Sequence, residues 1–146
     1  MDPRSFLQLA LVLKGGHGAP ESYRSAISRA YYAAFNVGVE TLKAIGIQVS
    51  EGPAGHGELR HCLGASGDPD LDDASGLLGT LHGRRRRADY RMDDIDSETR
   101  NEADIAYLES RQIIETLDIL RRDASKDGAR TEVRRYARDV LRLAVT

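Results

Sequence analysis

The stretch PESYRSAISRAYYAAFNVGVETLKAIG, residues 20–46, decides the fold. Its apolar residues recur at helical spacing and give one broad face to be buried; they are Tyr23, Ile27, Ala30, Tyr31, Ala34, Val37, Leu42 and Ile45. A face of this width is typical of a helix that packs against other helices. Pro20 is suited to a first helical turn, and Gly46 is suited to the residue after the last turn. The stretch therefore predicts one long amphipathic helix.

The rest of the chain shows further helical patterns joined by short connections, and strand signals are nearly absent. The other predicted helices cover residues 3–14, 56–63, 69–89, 98–124 and 130–145. Their predicted N-caps are Asp2, Asp68, Ser97 and Thr131. This pattern predicts an all-α fold, an up-and-down antiparallel helical bundle of four to five core helices. We expect a single domain over residues 1–146, with a core of about 3–124 and an additional C-terminal helix.

Composition limits the classes of protein to consider. The 146 residues carry 21 Lys and Arg against 23 Asp and Glu, a net charge of −2, so overall charge gives no argument for nucleic acid. The longest apolar run, residues 9–13, is too short to span a membrane, which takes roughly 20 residues. A single cysteine, Cys62, excludes an internal disulfide framework and fits a reducing compartment. We expect a cytoplasmic protein without membrane contact.

An arginine interrupts the apolar stripe of the helix that begins at Pro69. The stripe consists of Leu71, Ala74, Leu78, Leu81 and Ala88. Helical spacing calls for one more apolar residue between Leu81 and Ala88, and Arg85 occupies that position. A guanidinium on an apolar seam is costly unless it is paired or faces a ligand. Two interpretations can coexist: an ion pair with Asp89 at i+4, or a role in binding an anion or phosphate.

Positive charge is concentrated around this arginine. Residues 84–91 contain five arginines, the run Arg84–Arg87 and Arg91, against one acid, Asp89. By helical phase Arg84 flanks the apolar stripe, whereas Arg86 and Arg87 point away from it. A second basic stretch covers residues 121–142. Such runs form either a solvated face or a surface for a phosphate backbone.

Other chemistry-bearing residues are sparse. His56, His61 and Cys62 lack the spacing that would put two metal ligands on one helical face, so we expect no metal and no cofactor. Cys62 is interpreted as a packing residue. His82 precedes Arg85 by three residues and is either a surface histidine or a proton-transfer partner of that arginine.

Two motifs together resemble the HEPN superfamily. They are Ser28-Arg29-Ala30-Tyr31-Tyr32-Ala33-Ala34-Phe35 and Arg85-x-x-Ala88-Asp89-Tyr90. Their order and spacing are similar to small prokaryotic HEPN proteins, and His56 matches a position where that group often has histidine. The resemblance covers roughly residues 4–122.

The resemblance implies a helical bundle, usually dimeric, with the arginine motifs of both subunits near a shared cleft. Many HEPN proteins are metal-independent ribonucleases, often toxins paired with a minimal nucleotidyltransferase antitoxin or parts of phage-defence systems. We therefore expect RNA or nucleotide as ligand, a homodimer, and a nucleotidyltransferase-type antitoxin as partner. The catalytic candidates are Arg85, Asp89, Tyr90 and His82, and the binding candidates are Arg84, Arg86, Arg87, Arg29 and His56.

One departure from the family pattern leaves the activity open. In nuclease-type HEPN proteins a histidine follows the motif arginine by four to six residues, and no histidine follows Arg85 here. The usual dyad is incomplete, although Arg85 would still stabilise phosphate charge. The alternative is a non-catalytic helical dimer that serves as a protein-interaction partner, and a third class is a sensor of small nucleotides.

Overall fold

Helices account for 76% of the residues in a computed structural model that describes residues 1–146, and six of them are α-helices. They are α1 (Ser5–Lys14), α2 (Pro20–Ala44), α3 (Ala54–Gly64), α4 (Pro69–Tyr90), α5 (Arg100–Arg122) and α6 (Asp127–Asp139). Short 3₁₀ helices cover Ile95–Glu98 and Ala124–Lys126. Two strands of two residues, β1 (Ile47–Gln48) and β2 (Ala144–Val145), pair antiparallel. The prediction of an all-α helical bundle is confirmed.

The chain forms two compact units, of which the first consists of residues 1–34 and 78–113. Its helices enclose a core of alanine, larger aliphatic and aromatic residues, including Ala10, Ile27, Ala30, Tyr31, Leu81 and Ala106. Ser110 of α5 donates a hydrogen bond of 2.7 Å to the carbonyl of Ala30 in α2, so this fully buried hydroxyl is satisfied. Lys14 ties the end of α1 to α5 through Asp104, at 2.8 Å.

The second unit consists of residues 35–77 and 114–146. Its core is built from aliphatic residues, including Val37, Leu42, Leu59, Leu63, Leu117 and Val133. A Cβ atom added at Gly38 of α2 would lie 2.5 Å from Cδ2 of Leu59 on α3. The two helices therefore pack as closely as they do because position 38 has no side chain.

Several predicted helix ends are confirmed. Helix α2 begins at Pro20, and Gly46, just past its end, has a φ of +90°. Asp68 caps α4, since its Oδ1 accepts hydrogen bonds from the amides of Asp70 and Leu71 at 2.9 and 3.3 Å. Asp2 accepts from the amide of Arg4 at 2.9 Å, although α1 itself begins only at Ser5.

The predicted cap of α5 is wrong. Ser97 is buried in the 3₁₀ helix and donates to Asp94 at 2.6 Å instead of capping α5. Helix α5 begins at Arg100, and the hydroxyl of Thr99 accepts the amide of Glu102 at 3.2 Å. Two hydroxyl residues lie two positions apart here, and the later one takes the capping role.

The predicted C-terminal helix over residues 130–145 is also partly wrong. Helix α6 begins at Asp127, and the hydroxyl of Thr131 donates to the carbonyl of Asp127 at 3.0 Å inside the helix. The helix ends at Asp139. Arg142 then adopts a φ of 59°, and the following residues pair with β1. Apolar residues after position 139 follow helical spacing in the sequence, which is why the pattern predicted a longer helix.

Candidate functional site

Arg85 lies on α4 between two tyrosines in the first unit. Its side chain is only 12% exposed, as the interrupted apolar stripe predicted. Nη2 donates to the hydroxyl of Tyr32 on α2 at 2.5 Å and lies 3.4 Å from the hydroxyl of Tyr90 at the end of α4. The same nitrogen makes both contacts, so it lies between a tyrosine of α2 and a tyrosine of its own helix.

The ion pair between Arg85 and Asp89 is confirmed. Nε of Arg85 lies 2.8 Å from Oδ2 of Asp89, one helical turn later. The contact lacks hydrogen-bond geometry, so the buried Nε has no hydrogen-bond partner. Ser28 of α2 instead donates to that same carboxylate oxygen at 3.1 Å. Asp89 therefore offsets the charge of Arg85 without satisfying its Nε–H.

Aromatic rings and guanidinium groups alternate around this pair. The central carbon of the Arg85 guanidinium lies 5.0 Å from the ring centre of Tyr32 and 5.3 Å from that of Tyr90. Arg29 also lies 5.3 Å from the ring centre of Tyr32, and it lies 5.5 Å from that of Phe6 on α1. Such contacts are attractive because a cation meets the ring's quadrupole. We call these five residues the aromatic–arginine stack.

The four arginines of the run Arg84–Arg87 face different surroundings. Arg84 turns toward α5, where its Nε lies 3.2 Å from Glu109 and its Nη1 contacts Glu102. Arg86 and Arg87 are both exposed, and Nε of Arg87 lies 3.6 Å from Asp94. Of the binding candidates in this run, Arg86 and Arg87 are therefore the ones that present charge to solvent.

The two glutamates that hold Arg84 lie close enough to affect each other. Burial raises the pKa of Glu109, and the charge of Glu102 raises it further, whereas Arg84 acts to lower it. Arg84 thus forms ion pairs with two half-buried carboxylates. The positive charge of Arg84 is therefore offset by carboxylates of the first unit.

The histidine candidates both stack on aromatic rings. His82 lies parallel to the buried Tyr31, with ring centres 4.9 Å apart and an angle of 12° between the rings. His56 belongs to the second unit and stacks on Phe35 at 4.2 Å. Cys62, also in the second unit, is fully buried, and burial raises the pKa of its thiol to about 12. The thiol is therefore protonated at neutral pH and packs, as predicted.

Sequence reasoning missed Arg24, a buried arginine that holds the end of α4. Nη1 donates to the carbonyls of Ala88 and Arg91, both at 3.0 Å. Nη2 donates to the carbonyl of Asp94 at 3.0 Å and pairs with Glu98 at 2.9 Å. The last turn of α4, which carries Asp89 and Tyr90, is thereby fixed to α2.

A signal for Arg24 was present in the sequence. It precedes Ile27 by three residues and Tyr31 by seven, so it lies on the buried face of α2. Like Arg85, Arg24 places a guanidinium on an apolar seam, where it is costly unless it is paired.

Comparisons with known proteins give no relatives from which a site could be transferred. No protein-family profile, curated protein or solved structure matches the chain. No group of three or more His, Cys, Asp or Glu side chains is placed to hold a metal ion. None of the six helices has the length and apolar character that crossing a bilayer requires. The case for function rests on the side-chain contacts described above.

Proposed function

We propose that this protein is a HEPN-like module that binds single-stranded RNA at the C-terminal end of α4. The observation that carries the proposal is the aromatic–arginine stack centred on Arg85. Aromatic rings and guanidinium planes are the surfaces on which proteins stack unpaired bases. Tyr90, at one end of the stack, is 68% exposed and offers a ring face to such a base.

Exposed charge near the stack supports the same ligand. Arg86 is exposed, and Arg91 is exposed with Asp93 as its partner at 3.4 Å. Positive side chains of this kind bind phosphate oxygens without regard to sequence and make binding depend on salt. Stacking and phosphate contacts together would hold a short single-stranded segment against residues 85–92.

The family resemblance adds a cellular role and a partner to this proposal. The protein would act in the cytoplasm as a homodimer and as the toxin-like component of a toxin–antitoxin or phage-defence pair. A minimal nucleotidyltransferase would be its antitoxin. For metal-independent cleavage, Arg85 would stabilise the phosphate charge, and proton transfer would fall to Asp89, Tyr90 or His82.

The test is RNA binding in the presence of a chelator. Fluorescence anisotropy with a labelled single-stranded RNA should give saturable binding that weakens as salt rises. Tyr90→Ala should lower the affinity about tenfold, since stacking contributes about 1–3 kcal/mol per base. Tyr90→Phe, which keeps the ring, should bind like the wild type. Arg85→Gln should also lose affinity while circular dichroism shows an intact fold.

Matched controls make this test decisive. Arg86→Gln should weaken binding and lower its salt dependence, whereas Arg122→Gln, an exposed arginine of the second unit, should leave both unchanged. Salt-independent binding, or equal affinity for the wild type and Tyr90→Ala, would refute the RNA proposal. Cleavage is measured separately, by incubating total RNA with the wild type and with Arg85→Gln.

One observation favours the alternative of a protein-interaction partner. Tyr90, Met92 and Ile95 are 68%, 66% and 73% exposed within a single short stretch. Large apolar side chains that are exposed together are typical of surfaces that bind another protein. Two results together would support this alternative over the first proposal. The chain would show no affinity for RNA, and it would form a stable complex with a minimal nucleotidyltransferase that Ile95→Ser weakens.

A further inference from the structure

The second basic stretch, residues 121–142, contributes to a cleft in the second unit. Arg121, Arg130 and Arg134 line an open cleft of about 670 Å³ at the end of α2. Asp127 supplies its one carboxylate side chain. We call this feature the arginine cleft. Its volume lies within the range of small-molecule sites.

Arg134 is held rigidly at one side of the arginine cleft. Nη1 donates to the carbonyl of Ile45 at 2.6 Å, and Nη2 donates to the main-chain oxygen of Thr146 at 2.8 Å. A Cβ atom at Gly46 would lie 2.7 Å from Nη1 of Arg134. The close approach of this guanidinium to the main chain therefore depends on glycine at position 46.

Arg130 is held in a similar way from α6. Nη1 donates to the carbonyls of Leu120 and Asp123 at 2.6 and 2.9 Å, at the end of α5. Nη2 pairs with Asp127. Main-chain carbonyls satisfy donors without cancelling the positive charge. Two of the three guanidinium groups are thus fixed in place before any ligand arrives.

Arg121 is the third arginine of the cleft, and its positive charge is not paired. It is exposed at the end of α5, and no carboxylate pairs with it. Asp127 pairs with Arg130 and a main-chain oxygen of Thr146 accepts from Arg134, so the positive charge left without a partner in the arginine cleft is that of Arg121. Guanidinium groups bind phosphate oxygens strongly because their planar donors match two oxygens at once.

We propose that the arginine cleft binds a polyphosphate chain, either inorganic pyrophosphate or the phosphates of a nucleotide. No aromatic side chain lines the cleft, and main-chain oxygens already hold two of its three guanidinium groups, so the cleft offers little surface for stacking a base. Recognition therefore depends on the phosphates, and pyrophosphate, ATP and GTP bind alike. This site belongs to the second unit and does not rest on the RNA proposal, whose residues all lie in the first unit.

The test is isothermal titration of the full chain with sodium pyrophosphate at constant ionic strength. The wild type should bind one equivalent saturably, and sodium sulfate should bind far more weakly. Arg121→Gln should lower the affinity about tenfold, the usual effect of losing a hydrogen bond between charged groups. Arg122→Gln, the neighbouring exposed arginine outside the cleft, should bind like the wild type. Arg121 is chosen because it makes no structural hydrogen bond that its loss would disturb.

Several outcomes would overturn the proposal. These are the absence of saturable binding, equal affinity for sulfate, or equal affinity in Arg121→Gln and the wild type. A loss of pyrophosphate binding in Arg85→Gln would assign the phosphate site to the first unit instead. If Arg121→Gln weakened RNA binding while pyrophosphate did not bind at all, the cleft would be an RNA surface. Retained pyrophosphate binding in Arg85→Gln supports the cleft even if the RNA proposal fails.

Discussion

Ser28 donates its hydrogen bond to the oxygen of Asp89 that also lies 2.8 Å from Nε of Arg85. The carboxylate is therefore oriented from α2 while it pairs along α4. A charged group held by partners on two helices has little freedom to turn. This arrangement keeps Arg85 in one position beside Tyr32 and Tyr90.

Removing the hydroxyl of Ser28 tests this orientation. Ser28→Ala should lower the free energy of unfolding by about 1 kcal/mol, because a largely buried hydrogen bond is lost. Urea denaturation followed by circular dichroism gives the value. Ser25→Ala, at an exposed position of the same helix, should change stability by less than about 0.5 kcal/mol. Equal effects of the two substitutions would show that Ser28 does not support Asp89.

Replacing Arg24 should be far more damaging. Arg24→Met leaves Glu98 without its partner and several carbonyls at the end of α4 without donors. We expect a loss of about 3–5 kcal/mol, the usual result of breaking a buried ion pair. Arg91→Met removes an exposed arginine paired only with Asp93 and should cost less than about 1 kcal/mol. A small effect at Arg24, measured by the same denaturation, would contradict its role in holding the end of α4.

Stability should also depend on pH through Glu109. Because burial raises its pKa from the ordinary value of 4.5, the folded state holds this proton more tightly than the unfolded chain does. The contribution of Glu109 to stability therefore falls as the pH rises from about 4.5 through its raised pKa. Glu109→Gln removes this titration, so its stability relative to the wild type should improve from about pH 4 to about pH 7. A constant or falling difference in urea midpoints would contradict this account.

Two glycines should respond in opposite ways to the same substitution. At Gly38 a Cβ atom would collide with Leu59, so Gly38→Ala should cost about 1–3 kcal/mol through overpacking. At Gly76 no neighbouring atom lies within 4 Å of the added Cβ, and alanine is the better helix former. Gly76→Ala should therefore raise stability by about 0.5–1 kcal/mol. Thermal denaturation of both variants measures the contrast, and a stabilised Gly38→Ala would show that α2 and α3 can separate freely.

Local patterns predicted most of the fold. Pro20, Gly46 and Asp68 mark helix ends because each has a conformational or hydrogen-bonding property that acts within a few residues. The pairing of β2 with β1 joins residues about a hundred positions apart. Strands of two residues carry too little periodicity to reveal such a partner in the sequence.

The candidate site was predictable in part. The gap in the apolar stripe of α4 predicted both the burial of Arg85 and its pairing with Asp89. The contact between Arg29 and Tyr32 lies within one helix, but the contact between Tyr32 and Arg85 joins two helices. Their relative placement depends on tertiary packing. The sequence therefore singled out Arg29, Arg85 and Tyr90 as candidates, but it predicted neither the place of Phe6 in the aromatic–arginine stack nor the alternation of rings and guanidinium groups.

The aromatic–arginine stack also gives the molecule a built-in optical reporter. The chain has six tyrosines, two phenylalanines and no tryptophan, so tyrosine dominates its ultraviolet emission. Tyr32 and Tyr90 both contact Arg85, and Tyr31 meets Tyr32 edge-on with ring centres 5.6 Å apart. Three of the six tyrosines therefore contact Arg85 directly or contact a tyrosine that does. Ligand binding at Arg85 should therefore change the tyrosine fluorescence of the native protein, with no attached dye.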